Sequence, residues 1–591
     1  MSFFRKFLIA FGILLVILAG WLWWNRPRKV DMAGYVPSDS LIYLEANDLP
    51  EIAGEITETD AWKLLAQPAG IKANLGHYGW LSRLAAWTGI GPADAVVLSR
   101  AQVAVTVLGF DAAEAGETLK IKPRYALVVE THTSQSRVQS VVEKRVGDFA
   151  RRAYRDAVVE RKEIGGTELM TWRAPDGERR IVAAVLETVA VIGNDEPTVL
   201  ACLAVRRGER QSLAGNQQLE MMRQRLNGTT GLAFGYVSPA GAAKLLEVAA
   251  TVYAGQLLTD PRAQGLAAST LPPLANKVLG SAGWSARRAQ GMIEDRYFVT
   301  LQNGVAANLQ EPLAASTVAG QSAVEFLPAE TYSVSHYNYR DPAAAWRGLN
   351  LALSTQLDTL GAIFVARLLE SALRPYGIEE PNAFLRSIGP HIVTARLNNE
   401  ANTVASSETN STEGASSSTV TIVEVKDEKV LRDFVTKRLG AQPRRERIGD
   451  AELLISQNKE RGAACFIAGH LMMGRTQYLR RCLEARTRGE TLAAAPSFQK
   501  TASLIDRQTP SNTVTYTLDA APASAFISII AAQKGMREAE PREAELLRAL
   551  SNLSFATSET RLVESGFEKR TRSSFGQFGT LAAQFSPNPE Q

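Results

Sequence analysis

The chain is expected to fold as an α+β protein: a single N-terminal transmembrane helix, then two tandem homologous α+β domains with largely antiparallel sheets. Three observations lead there. Residues 7–24 read FLIAFGILLVILAGWLWW without a charge, and at about 1.5 Å per residue such a helix spans about 27 Å, close to the hydrocarbon thickness of a bilayer. The rest of the sequence is written twice in the same order. Within each copy, short β-branched runs alternate with amphipathic stretches, and several such runs follow one another directly, as in antiparallel hairpins.

Residues 1–6 form a tail carrying Arg5 and Lys6, and residues 7–24 form the anchor. Trp21, Trp23 and Trp24 crowd its C-terminal end, where amphipathic rings favour the headgroup layer. A cleaved signal peptide needs an A-x-A-like site directly after its apolar run. Here the nearest candidate, Leu18-Ala19-Gly20, is followed by further apolar sequence, so an uncleaved signal-anchor is the expectation. Arg26, Arg28 and Lys29 balance the basic residues on the other side, and the positive-inside rule is nearly silent. A leading apolar segment acts as an export signal, which puts the body outside the cytoplasm on a single-pass inner-membrane anchor. Residues 25–34 are a linker.

The body begins near Tyr35, with a first copy over 35–315 and a second over 322–585. Tyr35-Val36-Pro37 answers to Phe326-Leu327-Pro328, Glu130 to Glu424, Ile164-Gly165 to Ile448-Gly449 and Gly193 to Gly474. Cys202 pairs with Cys482, Tyr236 with Tyr516 and Gly291 with Gly566. The spacing is nearly constant and far longer than a solenoid repeat, so each copy is expected to be a domain. VAVTVL (103–108), ALVVE (126–130) and VTIVEV (420–425) read as strands, and 137–152 and 430–439 as helices. Consecutive strands are expected at 156–193 and 444–474, with helices packed on one face of the sheet. The segment 349–373 reads as one core helix, since Arg367 and Glu370 argue against a second membrane span. Residues 399–418 are Ser-, Thr-, Asn- and Glu-rich and form a flexible loop, corresponding to a shorter loop at about 110–122. Asn410-Ser411-Thr412 fits a glycosylation acceptor.

An apolar content of 45% supplies a sizeable core, and a net charge of +4 with scattered basic residues excludes a nucleic-acid footprint. The basic runs Arg444-Arg445-Glu446-Arg447 and Lys569-Arg570-Thr571-Arg572 read as solvated faces. Cys202, Cys465 and Cys482 show no metal-ligand spacing; Cys465 reads as a buried apolar residue, and a Cys465–Cys482 disulfide is left open. No G-x-S-x-G, H-E-x-x-H, P-loop or G-x-G-x-x-G is present. His77, His132, His336, His391 and His470 do not recur at matching positions of the two copies. Glu130 and Glu424 are expected to pair with a nearby Lys or Arg, and Asn194-Asp195 to cap a helix. No catalytic, cofactor or metal residue is assigned.

Pro37-Ser38-Asp39-Ser40-Leu41-Ile42-Tyr43, Gly193-Asn194-Asp195 opening a helix, and GERQSLAGNQQLEMMRQRL (208–226) together resemble an uncharacterised bacterial family of membrane-anchored proteins, a domain of unknown function. The second copy shows its version at GETLAAAPSFQKTASL (489–504) but carries Arg475-Thr476 in place of Asn194-Asp195, which argues against a functional role for those side chains. The resemblance implies an envelope location and a one-helix anchor, and supplies no catalytic residues. The functional expectation is a non-enzymatic, membrane-tethered envelope protein with a two-lobed binding or structural module for a protein or hydrophobic ligand. The alternative is an envelope hydrolase with a dispersed active site.

Overall fold

Backbone pairing runs without a break from one end of the described molecule to the other. The structure, a computed structural model, describes residues 29–71, 101–115, 118–257, 261–317, 323–373, 378, 380–397, 419–440, 442–505, 509–532 and 539–585. The anchor segment 7–24, the loop 399–418 with Asn410, and His77 lie outside these residues. No described helix is long and apolar enough to cross a membrane.

The first half runs β1 (Ile42–Ala46), α1 (Leu49–Thr57), α2 (Asp60–Leu65), β2 (Gln102–Ala115), β3 (Thr118–Glu130), α3 (Gln135–Tyr154), β4 (Val158–Ile164), β5 (Thr167–Arg173), β6 (Arg180–Leu186) and β7 (Val189–Gly193). It continues through α4 (Glu196–Arg206), α5 (Gln217–Leu226), β8 (Ala233–Val237), α6 (Pro239–Leu257), α7 (Pro261–Val278), β9 (Leu279–Ala289), β10 (Met292–Leu301) and α8 (Asn303–Gln310). The second half runs β11 (Thr331–Asn338), α9 (Pro342–Ser354), α10 (Thr359–Leu373), α11 (Pro381–Arg386), β12 (Ile388–Leu397), β13 (Thr419–Val425), α12 (Glu428–Leu439), β14 (Arg444–Ile448), β15 (Ala451–Ile455), β16 (Ala463–Ile467) and β17 (His470–Gly474). It ends with α13 (Thr476–Arg488), α14 (Pro496–Ala502), β18 (Thr513–Leu518), α15 (Ala520–Ala532), α16 (Glu543–Ser551), β19 (Phe555–Val563), β20 (Gly566–Ser573) and α17 (Gly576–Phe585).

Every pairing is antiparallel, and the strand order across the first half is β4-β5-β6-β7-β3-β2-β1-β8-β9-β10. The second half repeats this order, each strand answering to the one ten places earlier. The halves join through β10 and β20, in register from Ile293 opposite Ser573 to Thr300 opposite Gly566. Arg296 lies opposite Arg570, and each is the fifth residue of its strand. An approximate twofold axis therefore crosses the sheet between these two arginines.

Helices cover both faces of the outer sheet, not one. Successive strand residues point to opposite faces, and the apolar residues of β5 and β6 divide accordingly. Leu169, Val182 and Ala184 pack with Val199, Cys202 and Leu203 of α4, while Met170, Trp172, Ala183 and Val185 pack with Val138 and Val142 of α3. The second half divides the same way between α13 and α12. Elsewhere the two halves interleave. Ile56, Trp62 and Leu65 pack with Phe526, Ile527 and Phe575, and Leu274, Val305 and Leu309 pack with Ala345, Ala352 and Val365.

Other expectations are refined. The segment 349–373 is two helices, broken at residues 355–358, where the Asp358 side chain accepts a 2.8 Å hydrogen bond from Gly361 N–H and starts α10. Leu351, Leu360 and Ile363 on this pair are exposed, so it is not a core helix throughout. The stretch 110–122 is mostly strand: β2 and β3 stay paired from Phe110–Pro123 out to Ala115–Thr118. Gly291 occupies the second turn position of its hairpin at φ 76°, whereas Gly566 is the first residue of β20, one place further on.

The linker is pinned where it meets the body. Val30 exchanges two 2.8 Å hydrogen bonds with the Gln102 side chain. Arg223, almost fully buried, bridges Asp31 at 2.8 Å and Glu45 at 3.1 Å, and Tyr43 donates to Glu45 at 2.6 Å.

Candidate binding site

On the central strands of the second half, hydroxyls recur with period two. Thr515 and Thr517 of β18 and Ser558 and Thr560 of β19 share one face with Lys569 and Thr571 of β20. Ser335 and Ser333 of β11 hydrogen-bond Thr515 and Thr517 at 3.0 and 3.1 Å, and Ser558 meets Thr571 at 2.6 Å. These six side chains line an open cavity of about 270 Å³. Lys569 is exposed, with its ammonium 5.7 Å from the Tyr297 ring centroid.

The corresponding place in the first half is filled. Gly235, Trp284 and Tyr297 stand where Thr515, Ser558 and Thr571 stand, counted from the matching hairpins and from the Tyr236–Tyr516 pair. A Cβ at Gly235 would come within 2.7 Å of Leu44 Cδ2 and 3.2 Å of the Trp284 ring, so glycine makes room for the indole opposite it. Trp284 Nε1 donates to Asp295 Oδ1 at 2.8 Å, and Tyr297 donates to Gln577 Oε1 at 2.9 Å. Asp295 Oδ2 accepts from Gln577 N–H in the first turn of α17. Burial pushes the Asp295 carboxyl up to about 6 despite these donors. Replacing one indole and one phenol by two small hydroxyls opens the cavity in the second half.

The opposite face of the same strands holds a charge cluster. Glu294 is fully buried and receives Arg287 at 2.9 and 2.6 Å, Arg296 at 2.9 Å, Arg570 at 2.7 Å and Arg572 at 3.0 Å. Burial alone would raise its pKa, but the bonds from Arg570, Arg287 and Arg296 outweigh it and hold the carboxyl at about 2. Two of these arginines come from each half, so Glu294 ties the halves together. The run Lys569-Arg570-Thr571-Arg572 is thus not a solvated face: Lys569 and Thr571 line the cavity, and Arg570 and Arg572 serve Glu294. Arg444, Arg445 and Arg447 do lie on an exposed edge strand.

The histidines and carboxylates singled out by sequence are dispersed. Glu130 is buried and meets no Lys or Arg among the described residues, contrary to expectation. It accepts from Tyr35 Oη at 3.0 Å, Thr188 Oγ1 at 2.9 Å and the His132 backbone N–H at 2.8 Å. The His132 ring approaches it only to 3.9 Å and contacts Gln102 at 3.2 Å. Its counterpart Glu424 is half-buried beside Gly389. His336 and His391 meet at 3.0 Å, and burial with the neighbouring imidazole holds His336 down at about 4. Asp195 caps α4 through Thr198 N–H at 3.1 Å, as expected, and also binds Arg180. All three cysteines are free and buried, and burial pushes the Cys202 and Cys482 thiols up to about 12. No group of three or more metal-ligating side chains occurs among the described residues.

Fold and geometry thus define a mixed α/β protein on one long antiparallel sheet, with a hydroxyl-lined cavity beside the junction of its halves. The chain matches no family model, no curated protein and no solved structure.

Proposed function

We propose that the chain is a non-enzymatic envelope protein, held at the inner membrane by residues 7–24, whose body binds a small polar ligand in the cavity around Ser558. In this reading the two halves are tandem, divergent copies of one unit, as in the membrane-anchored family the sequence resembles, and the body is extracytoplasmic. The supporting observation is the contrast between the halves: the position closed by Trp284 in one is open and lined by hydroxyls and Lys569 in the other. Hydroxyls that both donate and accept, with a single ammonium, suit a polyhydroxylated ligand carrying a negative charge, such as an acidic saccharide. That chemistry favours a polar ligand over the hydrophobic one the sequence allows.

The test is retention of the full chain, in non-ionic detergent micelles, on an array of neutral and acidic saccharides. Retention on acidic saccharides that is lost in both Lys569→Ala and the double variant Ser558→Trp/Thr515→Gly, which supplies the glycine that faces Trp284 in the first half, with the fold retained, supports the proposal. No retention on any saccharide, or retention indifferent to that double variant, refutes it.

A further inference from the structure

Arg296 and Arg570 face each other across the twofold axis, and each gives Glu294 only its Nε–H. Their terminal nitrogens have no hydrogen-bond partner among the described residues, and the side chains keep 23% and 29% of their exposure. Four guanidiniums share the Glu294 carboxylate, while Glu559, the cross-strand neighbour of Arg570 on β19, is held by Arg561 at 3.1 Å, so the face keeps an excess of positive charge. Like charges set directly opposite one another on neighbouring strands repel, and Glu294, with buried Glu559 opposite Arg570 on β19, offsets only part of that repulsion. Two guanidinium forks anchored at Nε and open at their Nη ends are fixed in orientation and lack an anion. Planar forks of this kind match the oxygens of a phosphate group in bidentate fashion.

We infer that the Arg296–Arg570 pair is an anion site that takes a phosphate group on the face opposite the hydroxyl-lined cavity. The shared chemistry is a tetrahedral oxyanion seated between two guanidiniums, with Arg287 beside it and Glu294 holding the forks. Beside the groups already named, Glu559 and Arg561 of β19 and Glu568 of β20 carry charge on the same face; the site strengthens when the Glu294 charge is removed and weakens when either fork is lost. It does not depend on the saccharide reading, because no cavity residue touches it.

The experiment uses the full chain in non-ionic detergent micelles. Thermal unfolding and calorimetric titration are followed with inorganic phosphate, with dimethyl phosphate as a diester stand-in for a lipid headgroup, and with sodium chloride at matched ionic strength. Phosphate is expected to raise the unfolding temperature where chloride does not, with affinity falling at least tenfold in Arg296→Gln and in Arg570→Gln. Arg570→Lys keeps a positive charge but not the fork, and is expected to bind between the two. Glu294→Gln removes the competing carboxylate charge and is expected to bind more tightly than the unmodified chain. Equal binding of the diester assigns the site to a lipid headgroup, and a strong preference for inorganic phosphate assigns it to a free phosphate; both support an oxyanion site. No stabilisation beyond that of chloride in the unmodified chain overturns the inference, as does phosphate affinity unchanged in Arg296→Gln and Arg570→Gln. Should those variants fail to fold, the comparison of phosphate with chloride on the unmodified chain decides it alone.

Discussion

Glu294→Gln isolates what the buried charge at the junction contributes. In the folded chain this carboxyl is held at about 2 against an ordinary 4.5. A depressed pKa contributes stability that is present above the unfolded value and is lost as pH falls through the folded one. At about 1.4 kcal/mol per pKa unit, the shift corresponds to roughly 3 kcal/mol at pH 7. Arg287 is nearly half exposed, and solvent screening there brings the expected cost to about 2–3 kcal/mol. Glutamine is nearly isosteric, so packing is unchanged and the loss is electrostatic. Urea unfolding of the full chain in detergent micelles, followed by tryptophan fluorescence, reads it at pH 7 and again near pH 3. The variant should be destabilised at pH 7, and the difference should shrink across the window from about 4.5 down to 2. A cost below about 1 kcal/mol at pH 7, or one equally large at pH 3, would refute the assignment of Glu294 as the charged tie between the halves.

Two further outcomes follow from other buried groups. Asp295 is raised to about 6, so its contribution is present below the unfolded value of 3.8 and is lost as pH rises through 6. Asp295→Asn should therefore stabilise the chain at pH 7 by about 1–2 kcal/mol, roughly 3 from removing the buried charge less about 1 for the acceptor lost. It should also abolish a fluorescence change of Trp284 with a midpoint near 6; an unchanged titration sinks the assignment. Arg223→Leu leaves Glu45 buried without its cation and should cost about 3–5 kcal/mol, with Glu45→Gln recovering much of that in the double variant. Strictly additive losses would show that the two side chains are not coupled.

Much of the architecture was legible because it is local. β-branched runs located β4–β7 and β14–β17, amphipathic spacing located α3 and α12, and the ordered pairs from Pro37–Pro328 to Tyr236–Tyr516 located equivalent positions. Both prolines even make matching bridges, Pro37 to Ser212 and Pro328 to Thr491. What was not legible depends on partners far along the chain. Short runs such as IVAAVL bury residues on both faces, and a composition of that kind cannot distinguish one helical layer from two. The interleaving of Trp62 with Phe526, or of Leu274 with Val365, leaves no trace in either segment alone. The basic run at 569–572 was misread because period two sends its members to opposite faces, and the carboxylate that two of them serve lies in the other half. The T-x-T spacing of Thr513, Thr515 and Thr517 was visible, but it signals a polar sheet face and not a cavity. The cavity follows only once Ser558 is set against Trp284.

The twofold arrangement also explains why the junction carries an unbalanced charge. Any residue on the axis must face its own equivalent, and here that residue is arginine in both halves. A neutral or acidic residue at either position would remove the repulsion, yet both guanidiniums are kept. The third residue of each strand is a glutamate, Glu294 in β10 and Glu568 in β20. The two differ in their contacts. Glu294 turns inward to all four arginines, whereas Glu568 lies 3.8 Å from Arg225 at the end of α5, whose guanidinium covers Phe298. At the position matching Phe298, the second half has Arg572, which reaches Glu294 and the Leu504 carbonyl. Of the two glutamates at this symmetric position, only Glu294 reaches the axial pair. Neither half alone contains this arrangement: each half has one axial arginine at an edge strand, and the pair of forks exists only where β10 meets β20.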